Sequence, residues 1–205
     1  MTHLTAAAAA TDTPQDGFAD KVFESTACFR AVLDAMSSPA LPIALPVFPA
    51  RPAGLSSTAV ALLLTLADMD TPVWLGPGCD RPEARSYLRF HTGCPIAREP
   101  SEAAFAILPA AADPRALDGL PLGTAEYPDR SATVILLSGG LVAGAGPVFS
   151  GPGIDRPRAF DLADAHPDLW PRIARNQALF PRGLDWIFAG ATDIAALPRS
   201  TEIGS

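Results

Sequence analysis

Apolar and polar positions fall into short blocks along the chain, and the block with the clearest boundaries is Thr133-Val-Ile-Leu-Leu137. Polar turn formers precede it (Glu126, Pro128, Asp129, Ser131) and Ser138-Gly139-Gly140 follows. A short β-branched run between turn signals predicts a strand buried on both faces. The second apolar stretch, Gly144 to Phe149, and the Gly151-Pro-Gly153 turn suggest a hairpin-like unit with one strand central to a sheet.

Upstream, Phe18, Val22, Ser25, Phe29, Val32 and Met36 are spaced by threes and fours. They predict an amphipathic helix capped near Asp16 and stopped by Ser37-Ser38-Pro39. Leu41 to Phe48 is extended, but Pro42 and Pro46 remove ladder donors, so it reads as an edge strand or a loop against the core. Ser57–Ala67 is apolar nearly all round and predicts a buried helix. Val73–Leu75 is a short strand. A third helix opens at Pro82 and ends before Gly93.

Phe105–Leu108 reads as a strand, Asp113–Leu117 as a single helical turn, residues 155–165 as a loop and Pro167–Gln177 as a helix. Leu184–Ala189 and Ile194–Leu197 close the pattern as a strand pair. Helix and strand alternate without an internal repeat, which predicts an α/β protein built on a mixed sheet flanked by helices in three layers. Residues 1–16 read as a flexible N-terminal arm and 17–205 as one domain.

Composition narrows the function classes. Apolar residues make up 48% of the 205 and charged residues 18%, as expected of a well-buried globular protein. A net charge of -7 gives no attraction to phosphate backbones, and nothing approaches the length of a membrane helix. Neither nucleic acid nor membrane is therefore expected as a partner. Three irregularly spaced cysteines (Cys28, Cys79, Cys94) read as buried reduced thiols in a cytoplasmic protein.

Candidate chemistry is sparse. His3, His91, His166 and the cysteines lie far apart with no ligand spacing, so no metal site is expected. No G-x-S-x-G elbow occurs. Gly144-Ala-Gly146 and Gly151-Pro-Gly153 open no helix, and Pro147 and Pro152 remove amides that a phosphate nest needs, so both read as hairpin turns. One cluster admits a functional reading. Arg85 and Arg89 share a helix face, His91 follows, and together they could face an anion or a partner, with Glu126 and Arg130 in the preceding-strand loop as further contacts. The alternative is a solvated or salt-bridged arginine pair and an ordinary turn.

Several separate segments also carry a resemblance: FRAVLDAMSSPA (29–40), LLTLADMDTPVWL (63–75), LRFHTGCP (88–95), GTAEYPDRSATVIL (123–136), GPGI (151–154) and PRGLDWIF (181–188). In this order they resemble the PhnH family of the bacterial carbon–phosphorus lyase system, from about Gly17 to Glu202. The resemblance implies an accessory component that is cytoplasmic, forms homodimers and works with the G, I and J subunits of the same system. That assembly makes a ribose 1-alkylphosphonate 5-triphosphate from ATP and a phosphonate, before the J subunit cleaves the C–P bond.

The resemblance also implies a fold like that of pyridoxal-phosphate-dependent transferases without a functional cofactor site, and it transfers no catalytic residue. Residue inventory agrees on the cofactor, because a Schiff base needs a lysine and Lys21, the single lysine, falls on the first helix. Two further readings stay open. One is an ATP- or phosphonate-binding enzyme subunit that uses Arg85, Arg89 and His91 as an anion clamp with an acidic base such as Glu126, the site being completed by a partner chain. The other is a small-molecule sensor.

Overall fold

A computed structural model describes residues 16–204. The expected N-terminal arm, Asp16 apart, lies outside the described residues. Two sheets organise the chain. The larger has six strands in the order β1 (Ile43–Ala44), β8 (Asp193–Leu197), β7 (Asp185–Ala189), β4 (Thr133–Leu137), β3 (Phe105–Pro109) and β2 (Val73–Leu75). From β2 to β7 the pairs are parallel, while β8 runs antiparallel to both β7 and β1. The smaller sheet has the order β6 (Arg158–Leu162), β5 (Leu141–Ser150) and β9 (Glu202–Gly204), all antiparallel.

The apolar run in β4 fits its position. Ile135 pairs with Ile107 on one side and Ile187 on the other, and all three face one core with Val60, Leu62, Leu63 and Leu88. Val134 and Leu136 face the opposite core with Leu108, Trp186 and Phe188. Alternation of side chains along a strand covered on both faces produces both cores from one apolar run. Helices α1 (Lys21–Ser37), α2 (Ser57–Leu66) and α3 (Pro82–Thr92) cover the first face. The second is covered by α4 (Leu169–Gln177) together with the small sheet, whose Phe149 and Phe160 form an aromatic cluster with Trp170 and Phe188. A six-stranded mixed sheet flanked by helices is thus present, with one flank largely β.

The expected buried α2, the α3 boundaries, the β7–β8 pair and the edge position of residues 41–48 are all found. The hairpin is not. Both edges of β4 are occupied by β3 and β7, so β5 has no edge to pair with. The chain instead leaves at Ser138-Gly139-Gly140, where the Asp164 carboxylate accepts from Ser138 Oγ (2.6 Å) and the Gly139 amide (3.2 Å), and β5 enters the small sheet.

Gly144 and Gly146, by contrast, are not a hairpin turn. They lie inside β5 at φ 78°, in a bulge where pairing jumps from Ala143 to Val148. A Cβ on Gly146 would also meet the Asp161 side chain at 2.6 Å, so only glycine fits there. Residues 155–165, read as a loop, contain β6, whose inward Phe160 and Leu162 follow the period of two.

The first helix differs most from expectation. It starts at Lys21 under an Asp20 cap, whose carboxylate accepts from the Phe23 amide at 3.0 Å, not at Asp16. The buried stripe is Cys28, Ala31, Val32 and Ala35. These small residues let α1 approach α2 and β8 closely, and of the large apolar positions expected inward, Val22 is 79% and Phe29 45% exposed.

Candidate functional site

The residues singled out from sequence fall into two groups. Arg85, Arg89 and His91 are all on α3, which has Pro82 in its first turn and closes on Gly93 in the left-handed conformation. Arg85 is committed: its guanidinium forms a bidentate pair with Asp80, Nη2 lying 2.6 Å from Oδ2, and this hydrogen bonding holds the Asp80 carboxyl below its usual range. Arg89 stands one turn further along the same exposed face.

His91 points elsewhere. Two residues beyond Arg89 it is rotated by about 200° around the helix. Its ring packs against Tyr87 (centroids 4.3 Å apart) and Phe90 (4.9 Å) and lies beside Gly17. With Phe18, Lys21, Ser25 and Leu64 it lines a hollow of about 190 Å³ under the start of α1. The two arginines therefore share a face and the histidine serves another.

Glu126 and Arg130 lie in the exposed loop before β4, which ends in a 3₁₀ turn at Pro128–Arg130. The Arg130 guanidinium sits 4.1 Å from the centre of the Tyr127 ring, a cation–π contact. Among the described residues no ion pair joins Glu126 to Arg85, Arg89 or Arg130. The loop is anchored from beneath by Arg199, which donates to the Pro128 carbonyl and forms a bidentate pair with Asp185 at the start of β7.

A second arginine cluster went unread in the sequence. Arg172 and Arg175, three apart on α4, stand with Arg115 among the carboxylates of Asp113, Asp118 and Asp168. The i, i+3 spacing was the available signal. Arg172 bonds Asp118 at 2.7 Å and Arg115 bonds Asp113, holding the Asp113 carboxyl below its usual range, while Arg175 makes no ion pair among the described residues.

Other ionisable groups carry no evident chemistry. All three cysteines are buried and free, and burial pushes the Cys79 thiol up to about 12. Desolvation also raises Cys28, Cys94 and the Asp193 carboxyl. A thiol held protonated at neutral pH is a packing group, not a nucleophile. Among the described residues no three His, Cys, Asp or Glu side chains gather as a metal would need, and no helix is long and apolar enough to cross a membrane.

An α/β sheet with two covered faces, carrying clustered arginines and a solvent-facing apolar helix, is the frame on which any activity must be built. The chain belongs to the PhnH family, the bacterial phosphonate metabolism proteins, whose model matches residues 16–204. Among its relatives is the alpha-D-ribose 1-methylphosphonate 5-triphosphate synthase subunit PhnH of Rhizobium meliloti (strain 1021), 37% identical over 191 residues, spanning 91% of this chain and 93% of that protein. A putative C-P lyase subunit protein, HtxG of Stutzerimonas stutzeri, is 33% identical over 90 residues, 43% of this chain and 46% of its own length.

Proposed function

We propose that this chain is an accessory subunit, without activity of its own, of the carbon–phosphorus lyase assembly that forms ribose 1-alkylphosphonate 5-triphosphate from ATP and a phosphonate. The observation that carries the docking part of the proposal is the outer face of α1. Val22 is 79%, Phe23 74%, Phe29 45% and Leu33 52% exposed on this one helix. Val22, Thr26, Phe29 and Leu33 are spaced four, three, four, the pattern of a helix–helix seam. A concentration of large apolar side chains on one surface is the mark of a protein interface. The partners are a second copy of the chain and the G, I and J subunits, in the cytoplasm, and the relatives' names support membership of such an assembly.

The test is a tagged pull-down from the native host grown on a phosphonate as sole phosphorus source, with mass spectrometry for partners and light scattering for stoichiometry. Recovery of other lyase subunits in fixed ratio is the expected result. A chain that travels alone under those conditions contradicts the proposal.

A further inference from the structure

We propose that the hollow beneath α4 binds a small oxyanion carrying a short apolar group, held by Arg172 and Arg175. The hollow, about 250 Å³, has an apolar floor of Leu122, Leu179, Leu184 and Trp186, with the two arginines among its lining residues. Both arginines also line an adjoining polar hollow of about 300 Å³ with Asp113, Arg115 and Asp168. The two arginines thus border both a greasy hollow and a charged one, where an anion with one apolar substituent would be held at both ends.

Donor accounting points the same way. Asn176, the other polar side chain in the apolar hollow, is spent: its amide donates to the Leu184 carbonyl at 3.0 Å and accepts from the Leu184 amide at 2.7 Å. The Trp186 indole is 1% exposed, and its Nε1–H is one of two buried side-chain polar atoms without a partner among the described residues. Buried donors are ordinarily satisfied, so this unpaired N–H, on a residue that lines the hollow, is a donor that a bound acceptor would satisfy once the wall shifts to admit it. Arg172 gives one amine to Asp118 and keeps others, and Arg175 is uncommitted among the described residues.

The acidic side chains Asp113, Asp118 and Asp168 close by select against a highly charged ligand such as a triphosphate and favour a singly or doubly charged one. The choice of an alkylphosphonate within this class rests on the functional reading above; the site itself does not.

Binding is read by the indole N–H signals in ¹H–¹⁵N NMR spectra, the Trp186 signal being assigned with Trp186→Phe. Should that variant not fold, Trp74→Phe and Trp170→Phe assign it by elimination. n-Butylphosphonate is expected to move the Trp186 signal saturably, at least tenfold tighter than inorganic phosphate or ATP. Arg175→Ala, at an exposed position, should weaken binding at least tenfold with an unchanged melting curve, while Arg89→Ala leaves it intact. No saturable shift, equal binding of inorganic phosphate, or indifference to Arg175→Ala overturns the inference. A chain that co-purifies with its partners but ignores n-butylphosphonate removes this site alone. One that binds n-butylphosphonate but travels alone removes the accessory-component reading instead.

Discussion

Replacing Arg199 by methionine should cost about 2–4 kcal/mol, near the lower end of what breaking a shielded ion pair costs. The side chains of Arg199 and Asp185 are 16% and 17% exposed, so neither is rehydrated freely once its partner is gone. Asp185 accepts from Arg199 Nε at 3.1 Å, from its other guanidinium nitrogen and from its backbone amide at 2.8 Å; only the last bond survives the change. The Pro128 carbonyl also loses its Arg199 donor and keeps only the longer bond from the Ser131 amide (3.3 Å), adding up to about 1 kcal/mol to that total. Three segments come apart together: the start of β7, the chain after β8 and the turn that leads into β4.

Urea unfolding followed by far-ultraviolet circular dichroism gives the cost directly. The double variant Asp185→Asn with Arg199→Met removes the stranded charge and should recover at least about 1.5 kcal/mol relative to the sum of the single changes, as coupled neighbours do. A loss below about 1 kcal/mol for Arg199→Met, or strict additivity in the cycle, would refute the idea that this pair anchors the loop.

Two further outcomes follow from local geometry. Gly153 sits at φ 82° where a methyl group would press into the Ser37 carbonyl oxygen, so Gly153→Ala should lower stability by about 2 kcal/mol in the same urea assay; an unchanged midpoint would contradict that contact. For the Cys79 thiol the folded value is about 12 against an ordinary 9.0, so above pH 9 the unfolded chain releases a proton that the folded chain keeps. Stability is therefore fully present below pH 9 and lost as pH rises toward 12, and Tyr87, also pushed up to about 12, adds the same trend above pH 10. Iodoacetamide at pH 8 should leave Cys79 unlabelled until urea is added; labelling of the folded chain would show the thiol to be accessible.

The parts of the fold that were legible in sequence are those where one local rule settles the matter. Pro82 and Gly93 bracket α3, the all-apolar Leu62-Leu63-Leu64 run fixes α2 as buried, and the β-branched run of β4 demands cover on both faces. The errors arise where tertiary neighbours decide. Val22 and Phe29 satisfy helical periodicity as well as Cys28, Ala31 and Ala35 do, and only the close approach of α2 and β8 selects the small residues for burial. Gly144 and Gly146 have the spelling of a turn but form a bulge opposite Asp161, a distinction set by a strand whose own pattern, Arg158 to Leu162, is too short to stand out.

The candidate site was legible only as inventory. Spacing placed Arg85 and Arg89 on one face, but Asp80, outside the helix, decides that Arg85 is already paired. Trp186 reads as an ordinary core residue, and no local pattern signals that its buried N–H lacks a partner or that it lines a hollow with arginines of the preceding helix.

The central claim, that the outer face of α1 is where another chain docks, is tested most directly by charging that face. Phe23→Glu with Phe29→Glu replaces two side chains that are 74% and 45% exposed, so the isolated chain should keep its circular dichroism spectrum and melting curve. The measurement is the yield of partner subunits, and of a second differently tagged copy, recovered with this variant from cells grown on a phosphonate. The account predicts a normally folded chain that recovers at least tenfold less of its partners than the unaltered protein. Undiminished recovery by a folded variant would contradict it.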